Sequence, residues 1–328
     1  MSKPKPRITI VGLGLVGASI GLALRQAEVA SAVVGHDKDT GVNTRAKKLE
    51  AVDQTNWRLI PACENADLVI LATPLGGIEP TLSAIASDLR EGCVIVDTAS
   101  LKGPVVDWAD EILPDHVHFV GGDPIISRPV EGEGGIESAN ADLFRNGLFC
   151  LTPSSKADPG AVKLVVDLVT ILGAEPLFLD PLEHDGLLAA VDHLPSLLAL
   201  AQIGTVTGQP SWRELRKVAG PSFESATRPV VTDPADQSEL CIENRENIVR
   251  WIDLYMSSLA SLRSTLVESD SEALAERFSD ALKERAEWSQ LRAKGQWEEG
   301  TQVDMPPKHG LGEAFFGGLW TRRPKRDS

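Results

Sequence analysis

Three glycines near the N-terminus have the spacing of a phosphate-binding turn. Gly12, Gly14 and Gly17 form the pattern GxGxxG between an apolar run and a helix-like segment. The first glycine permits a tight turn, the second lets the backbone approach a pyrophosphate, and the third allows contact between helix and strand. The backbone at the helix N-terminus, at Leu15 and Val16, then faces the phosphates. In this context the pattern predicts a dinucleotide site.

An acidic residue follows at the distance expected of a ribose ligand. Asp37 comes at the end of the next apolar run, 20 residues after Gly17. Its carboxylate can accept hydrogen bonds from both ribose hydroxyls and repels a 2′-phosphate, which favours NAD over NADP. Two alternatives stay open. Lys38 and Arg45 could assist a 2′-phosphate, and a strand–helix–strand unit can carry an acidic turn without a ligand.

Short apolar runs rich in Val and Ile alternate with helix-like segments up to about residue 180. Continuous apolar runs indicate strands that are covered on both faces, as in a parallel α/β sheet. Ligands of such sheets bind beyond the carboxyl ends of the strands. Thr73, Pro74 and Ser100 follow two such strands and are predicted beside a nicotinamide. The strand candidates are Ile8–Val11, Ala32–Gly35, Leu68–Ala72, Val94–Val96, His118–Val120, Leu148–Leu151 and Pro176–Leu179.

Helical spacing replaces the strand signal after Asp180. Apolar residues recur at helical intervals from Ile248, and Ser269-x-x-Glu272 is typical of a capping box that opens a further helix. The sequence therefore predicts an α/β Rossmann-type dinucleotide-binding domain over residues 1–180 and an all-α helical domain over residues 181–299. An irregular tail is expected over residues 300–328.

The composition narrows the range of partners. The 328 residues include 32 Lys and Arg against 47 Asp and Glu, which gives a formal net charge of −15. Such a charge repels phosphate backbones and anionic lipid, so we expect neither nucleic acid nor membrane as a partner. An anionic metabolite can still bind where a basic group is provided locally.

The cysteines and the N-terminus bear on the cellular compartment. Four cysteines are widely spaced without a CxxC pair, so we expect reduced packing residues in a cytoplasmic protein, without a disulfide framework or a metal site. Three basic residues before an uncharged stretch could imitate a signal peptide. The four glycines that interrupt this stretch favour the dinucleotide interpretation instead.

Six segments share their content and order with one known family. They are VGLGLVGASIGLAL, ADLVILATP, VDTASLK, the GGDP…GGIESANADLF…CLTP block, ILGAEPLFLDPLEHDGLLAAVDHLPSLLA and AGPSFESATRPV. In these segments the chain resembles the prephenate and arogenate dehydrogenases of tyrosine biosynthesis. The resemblance implies a dinucleotide domain, a helical domain that forms a homodimer, and an active site between them. It also implies oxidative decarboxylation of a small anionic cyclohexadienyl substrate, with NAD as the hydride acceptor.

The resemblance assigns proton acceptance to a serine and a histidine, because the substrate hydroxyl becomes acidic as the hydride leaves. Ser100 matches the serine, although a serine here could also cap a helix. Asp123 stands before Pro124 where the family has His-Pro. A carboxylate can accept the hydroxyl proton, yet it suits an ammonium group better. Asp123 could instead cap the loop that follows.

Further site residues come from the second half of the resemblance. His193 matches the first histidine of the family element Ser-His-Leu-Pro-His and is a candidate catalytic residue. Ser196 replaces the second histidine and is a candidate substrate contact. Arg228 matches the arginine that binds the substrate side-chain carboxylate, for which a guanidinium fork is suited. Arg128 is a second candidate anion contact. The alternatives are a core histidine at position 193 and a surface ion pair at position 228.

The leading hypothesis is NAD-dependent oxidative decarboxylation of prephenate or arogenate in tyrosine biosynthesis. Asp123 prompts a close alternative, a dehydrogenase of 4-amino-4-deoxyprephenate. A β-hydroxyacid dehydrogenase would need a catalytic lysine in the helical domain, where Lys217 lacks the expected glycine-rich surroundings. A non-catalytic NAD-binding sensor also stays open, since two family histidines are replaced.

Overall fold

The computed structural model describes residues 5–127, 134–230 and 233–294. The described residues separate into two compact units. The first extends to Pro181 and also includes the chain from Ser289 to Lys294, and the second comprises Leu182–Trp288. Arg128 and the predicted tail over 300–328 lie outside the described residues.

One mixed sheet organises the first unit. The strand order is β3-β2-β1-β4-β5-β6-β7-β8, and every described pair is parallel except β6 with β7. The strands are β1 (Arg7–Val11), β2 (Ala32–His36), β3 (Gln54–Thr55), β4 (Leu68–Leu71), β5 (Val94–Asp97), β6 (His118–Ile125), β7 (Leu148–Pro153) and β8 (Glu175–Phe178).

Helices cover this sheet and form most of the second unit. Those of the first unit are α1 (Leu15–Gln26), α2 (Thr40–Lys48), α3 (Leu59–Cys63), α4 (Ile78–Ile85), α5 (Gly103–Ile112) and α6 (Pro159–Ile171). The later helices are α7 (Pro181–Leu188), a π-helical turn (Ala189–His193), α8 (Leu194–Thr207), α9 (Trp212–Val218), α10 (Pro221–Thr227), α11 (Pro234–Glu243), α12 (Arg245–Val267) and α13 (Ser271–Lys294).

The apolar runs form strands because both faces of the sheet are covered. Every residue of β4 and β5 is buried, and β1 is buried from its second residue onward. All seven predicted strands are present, and the predicted class, a Rossmann-type α/β domain followed by helices, is confirmed. The short strand β3 was not predicted, since Gln-Thr carries no apolar signal.

One neighbouring strand pair of the sheet, β6 with β7, is antiparallel. Parallel neighbours need a long crossover, usually a helix, whereas antiparallel neighbours do not. Between β6 and β7 the described residues contain only the 3-10 turn Ile136–Ser138. The chain therefore returns antiparallel, and β6 extends through the Gly-Gly-Asp-Pro segment that was expected to leave the sheet.

The predicted capping box is shifted by one residue. Asp270, rather than Ser269, caps α13, because its carboxylate accepts a hydrogen bond from the Ala273 N–H at 2.9 Å. Ser269 has a φ of 56° and belongs to the turn that ends α12. A helix following α12 was correctly predicted, and only its capping residue differs.

One helical stretch of the chain is unusually apolar. Pro181–Thr207 is long and apolar enough to cross a membrane by length and composition, and 28% of its most apolar window is buried inside the chain. Helices of soluble proteins pass the same criterion when another surface covers them.

Candidate active site

The glycine turn leaves space only at its second glycine. Gly12 has a φ of +90°, and a Cβ on it would lie 2.3 Å from the Ala72 carbonyl oxygen. A Cβ on Gly17 would lie 1.9 Å from the Gly12 carbonyl oxygen. A Cβ on Gly14, in contrast, would meet no heavy atom within 4 Å. This is the arrangement in which backbone at Gly14 can approach a pyrophosphate.

The N-terminus of α1 begins at a glycine that offers no cap. Gly14 is the N-cap residue and makes no side-chain cap bond, and the first turn contains no acidic residue. The N–H groups at Leu15 and Val16 precede the first α-helical hydrogen bond, which joins the Ala18 N–H to the Gly14 carbonyl at 3.0 Å. Uncapped N–H groups and the helix dipole together favour an anion at this end.

The Asp37 carboxylate lies directly beside the glycine turn. One oxygen accepts the Leu13 N–H at 2.9 Å, and the other accepts the Asp39 N–H at 2.9 Å. A carboxylate has about four lone-pair positions, so acceptor capacity for ribose hydroxyls remains. The contact to Leu13 holds the acid and the turn in one fixed arrangement.

Asn43 orients the peptide of Asp37 and was not predicted from the sequence. The Asn43 amide oxygen accepts the Asp37 N–H at 3.0 Å, and its nitrogen donates to the Asp37 carbonyl at 2.7 Å. Asn43 is buried in α2. No sequence pattern marks it, because its burial and its two bonds to Asp37 appear only in the folded chain.

Two basic residues lie near Asp37 in the sequence. The side chain of Arg45 pairs with Glu137 at 3.2 Å, and both groups are exposed. Lys38 is also exposed. Asp37 itself bonds directly to the turn through the Leu13 N–H, which supports the predicted preference for NAD.

Thr73 and Pro74 follow β4 at the carboxyl edge of the sheet. Pro74 is exposed, and the Thr73 hydroxyl oxygen is buried without a hydrogen-bond partner among the described residues. Buried hydroxyl groups normally have a partner. The position of this hydroxyl therefore suits the predicted contact with the cofactor.

A buried ion pair links the end of β5 to β6. Asp97 and Lys102 are both fully buried and directly bonded. Lys102 also donates to the Gly122 carbonyl at 2.8 Å, while the Asp97 carboxylate accepts the N–H groups of Gly122 at 2.9 Å and Ala99 at 3.0 Å. Burial raises the pKa of the Asp97 carboxyl, and the Lys102 ammonium opposes this shift. The pair fixes two neighbouring chain segments.

Ser100 and Asp123 each directly follow a residue, Ala99 or Gly122, whose backbone bonds to this ion pair. Ser100 follows Ala99 and is half-buried. It does not cap α5, since that helix begins at Gly103 after Lys102. The structure thus brings Ser100 to the carboxyl edge of the sheet, as predicted, and excludes the capping alternative.

Asp123 lies within β6 instead of in a loop. Its backbone pairs with Cys150 of β7, and 5% of the residue is exposed. The Gly-Gly-Asp-Pro segment therefore continues the strand up to Ile125. Sequence alone concealed this, since glycine and proline usually end strands.

The predicted residues of the second unit differ in exposure. His193 is 1% exposed at the end of the π-helical turn. Ser196 is half-buried in α8, with its hydroxyl 3.5 Å from the Asp192 carbonyl. Arg228 is exposed at the end of α10, a helix that packs against α8, and no ion pair of Arg228 is found among the described residues. The alternative of a surface ion pair at Arg228 therefore finds no support among the described residues.

Comparison with known proteins now identifies the family. The sequence model of the prephenate dehydrogenase nucleotide-binding domain matches residues 20–177. The model of the prephenate dehydrogenase dimerization domain matches residues 180–280. The chain belongs to the prephenate dehydrogenase family. The predicted resemblance is thereby confirmed, as are the predictions of an oxidoreductase and of a nucleotide-binding domain.

Relatives of the prephenate dehydrogenase family match most of the chain. Prephenate dehydrogenase of Bacillus subtilis is 29% identical over 297 residues, which are 90% of this chain and 79% of the relative. Cyclohexadienyl dehydrogenase of Zymomonas mobilis is 28% identical over 282 residues, which are 85% of this chain and 94% of the relative. The structure of prephenate dehydrogenase of Aquifex aeolicus in complex with hydroxyphenyl propionate and NAD+ superposes with a TM-score of 0.79 at 26% identity. The superposition covers 88% of this chain and 99% of the Aquifex chain.

The residues matched by the dimerization-domain model include the apolar stretch Pro181–Thr207. Large apolar side chains of the same unit are exposed both within this stretch, where Val191 is 74% exposed, and beyond it, where Met256 is 62% and Phe278 is 70% exposed. Apolar surface of this extent is typical of a protein interface.

Proposed function

We propose that the protein catalyses NAD-dependent oxidative decarboxylation of prephenate or arogenate. The observation that carries the proposal is the open turn at Gly14 beside the Asp37 carboxylate, in a chain of the prephenate dehydrogenase family. The NAD+ bound by the Aquifex relative fits this turn chemically. Gly12, Gly14, Leu15, Val16 and Gly17 would hold the pyrophosphate. Asp37 would hold the ribose, with Thr73 and Pro74 beside the nicotinamide.

The bound NAD would accept a hydride from the ring carbon that carries the hydroxyl. The ring carboxylate leaves as CO2, its bonding electrons restore the aromatic ring, and the product oxygen regains the proton as a phenol. Between these events the proton needs an acceptor. Ser100 and Asp123 stand at the carboxyl edge of the sheet and would hold it there.

Residues of the helical unit would bind the anionic substrate. Arg228 carries an exposed guanidinium without an ion-pair partner among the described residues, and it would bind the side-chain carboxylate bidentately. Ser196 and His193 would supply neutral hydrogen-bonding groups. Arg128, which lies outside the described residues, is retained as a second anion contact. In a chain of net charge −15 such local cations are needed.

We further propose a cytoplasmic homodimer that associates through the helical unit. The exposed apolar side chains of this unit and the dimerization-domain match support the dimer. All four cysteines are free, and burial raises the pKa of the Cys63 and Cys93 thiols to about 12, which keeps them protonated and unreactive. Neither nucleic acid nor membrane is proposed as a partner.

Absorbance of the reduced nicotinamide tests the proposed function. Purified protein is supplied with NAD or NADP and with prephenate, arogenate or 4-amino-4-deoxyprephenate in turn. We expect NADH formation with prephenate or arogenate and a lower kcat/KM with NADP. Turnover of the 4-amino compound alone would transfer the function to that substrate. Absence of turnover with all three, despite NAD binding, would favour the sensor.

A further inference from the structure

A buried polar cluster surrounds His193 in the helical unit. The Asn244 amide nitrogen lies 3.1 Å from Nδ1 of His193 and 2.9 Å from the Asp185 carbonyl oxygen. Its amide oxygen accepts a hydrogen bond from the Asn247 amide at 2.8 Å. His193 and Asn244 are 1% and 4% exposed. Solvent therefore does not compete for these bonds.

The partners of Asn244 determine which way its amide points. The backbone carbonyl of Asp185 can only accept a hydrogen bond, so the atom facing it has to be the amide nitrogen. The opposite amide orientation would place two acceptor oxygens against each other at 2.9 Å. With one N–H directed to Asp185, the second N–H points at His193. Nδ1 of His193 is then an acceptor and carries no proton.

This orientation also defines the other ring nitrogen. In a neutral imidazole that accepts at Nδ1, the proton resides on Nε2. The Asp192 carboxylate lies 3.9 Å from Nε2 and is 61% exposed, which suits an N–H rather than a lone pair there. The other titratable pair of the cluster, His184 and Asp185, bonds internally at 3.0 Å.

We propose that Asn244 is a positioning residue that holds His193 as a hydrogen-bond donor at Nε2. His193 then donates to an oxygen of the anionic substrate, and proton acceptance is left to Asp123 and Ser100. The assignment of a substrate to this donor rests on the proposed function. Neither Asn244 nor the tautomer of His193 was predicted from the sequence, because the two residues are 51 positions apart.

Nitrogen-15 NMR of histidine-labelled protein tests the tautomer without substrate. The spectrum of His193→Gln identifies the signals of His193 by their loss. We expect the wild type to show protonated Nε2 and unprotonated Nδ1 at neutral pH. Asn244→Ala should mix the two tautomers, and Asn244→Asp, whose carboxylate only accepts, should move the proton to Nδ1. A wild type protonated at Nδ1, or unchanged signals in both variants, would overturn the proposal.

Trp251→Phe is the matched control for the packing of α12. The Trp251 indole donates to the Gly186 carbonyl at 3.2 Å, next to the Asp185 carbonyl that binds Asn244, and no bond to His193 is involved. We expect this variant to lose stability while the His193 signals and kcat/KM stay within about twofold of the wild type. A changed tautomer in Trp251→Phe would show that general packing sets it, and would also overturn the proposal.

Turnover separates a donor from a base at His193. A glutamine amide can donate a hydrogen bond but accepts no proton, so His193→Gln should keep at least tenfold more kcat/KM than His193→Ala. Loss of the donor should cost about 10- to 100-fold. Equal losses in both variants, on the scale of about 100- to 10,000-fold for a general base, would refute the donor role. A wild type without turnover would refute the proposed function, while the NMR result still decides the tautomer.

Discussion

Removal of the Lys102 ammonium should make the buried Asp97 carboxylate strongly destabilising. Lys102→Met keeps the length and most of the volume of the side chain but removes its charge. The Asp97 carboxylate then keeps only the N–H groups of Gly122 and Ala99, in a site without solvent exposure. Removing one partner of a buried ion pair typically lowers the free energy of unfolding by about 3–5 kcal/mol. For a unit of this size that corresponds to a fall in Tm of roughly 6–20 °C.

The deficit of Lys102→Met in the free energy of unfolding should become smaller at lower pH. Burial already raises the pKa of Asp97, and loss of the opposing ammonium raises it further in the folded state. The folded variant then binds a proton at pH values where the unfolded chain has released it. Its stability therefore increases as the pH falls through the folded pKa toward the unfolded value of about 3.9. The deficit relative to wild type should therefore shrink as the pH is lowered toward that unfolded value.

Urea unfolding of both variants at several pH values measures this effect. Asp97→Asn/Lys102→Met is the matched control, because it removes both charges and should recover most of the loss in the free energy of unfolding. Catalysis is expected to decline as well, since Ser100 and Asp123 directly follow Ala99 and Gly122, whose backbones bond to the pair. A Lys102→Met deficit below about 1 kcal/mol, or one that grows at lower pH, would refute the reasoning.

Substitutions at three further positions address the cofactor and the substrate. Asp37→Ser removes the ribose acceptor and the repulsion of a 2′-phosphate, so NAD should bind up to about 100-fold more weakly in a titration with each cofactor. Arg228→Ala should cost about 2–5 kcal/mol in substrate recognition, and Arg228→Lys less, with NAD affinity unchanged in both. Asp123→Asn should lower kcat with a hydroxyl substrate about 100-fold or more if the carboxylate holds the proton. If it instead pairs with an ammonium, Asp123→Asn should raise KM for the amino compound, and Asp123→His should improve turnover of prephenate.

Each of these expectations has a contrary outcome. A wild type that prefers NADP, or Asp37→Ser with an intact NAD preference, would remove Asp37 from the cofactor site. Unchanged kcat/KM in Arg228→Ala would remove the carboxylate anchor. Should neither Asp123 variant alter turnover of any of the three substrates, Asp123 would have only a structural role in β6.

The sequence predicted the elements and the nucleotide turn well, because these depend on local patterns. Apolar runs covered on both faces located the strands, and the spacing of Gly12, Gly14 and Gly17 located the turn between β1 and α1. Asp37 was found by its distance from the turn, and the structure places its carboxylate at the Leu13 N–H. Motif and element were consistent at every step, which is why this part was predictable.

Features that depend on contacts between distant residues could not be predicted. The direction of β7 follows from a connection without a described helix, and the strand position of Asp123 follows from its pairing with Cys150. The Asp97–Lys102 pair connects two chain segments through its bonds to Gly122, which lies 20 positions beyond Lys102 in the sequence. Asn244 carries no motif at all and became significant only through its bonds in the folded chain.

The ratio of CO2 to NADH formed from prephenate tests the central claim most directly. Oxidative decarboxylation releases one CO2 for each hydride transferred, and the aromatic phenol appears in the same amount. We therefore predict that NADH, CO2 and the phenolic product rise together in equal amounts, and that all three disappear when NAD is omitted. Formation of NADH without CO2, or no NADH from either prephenate or arogenate, would contradict the account.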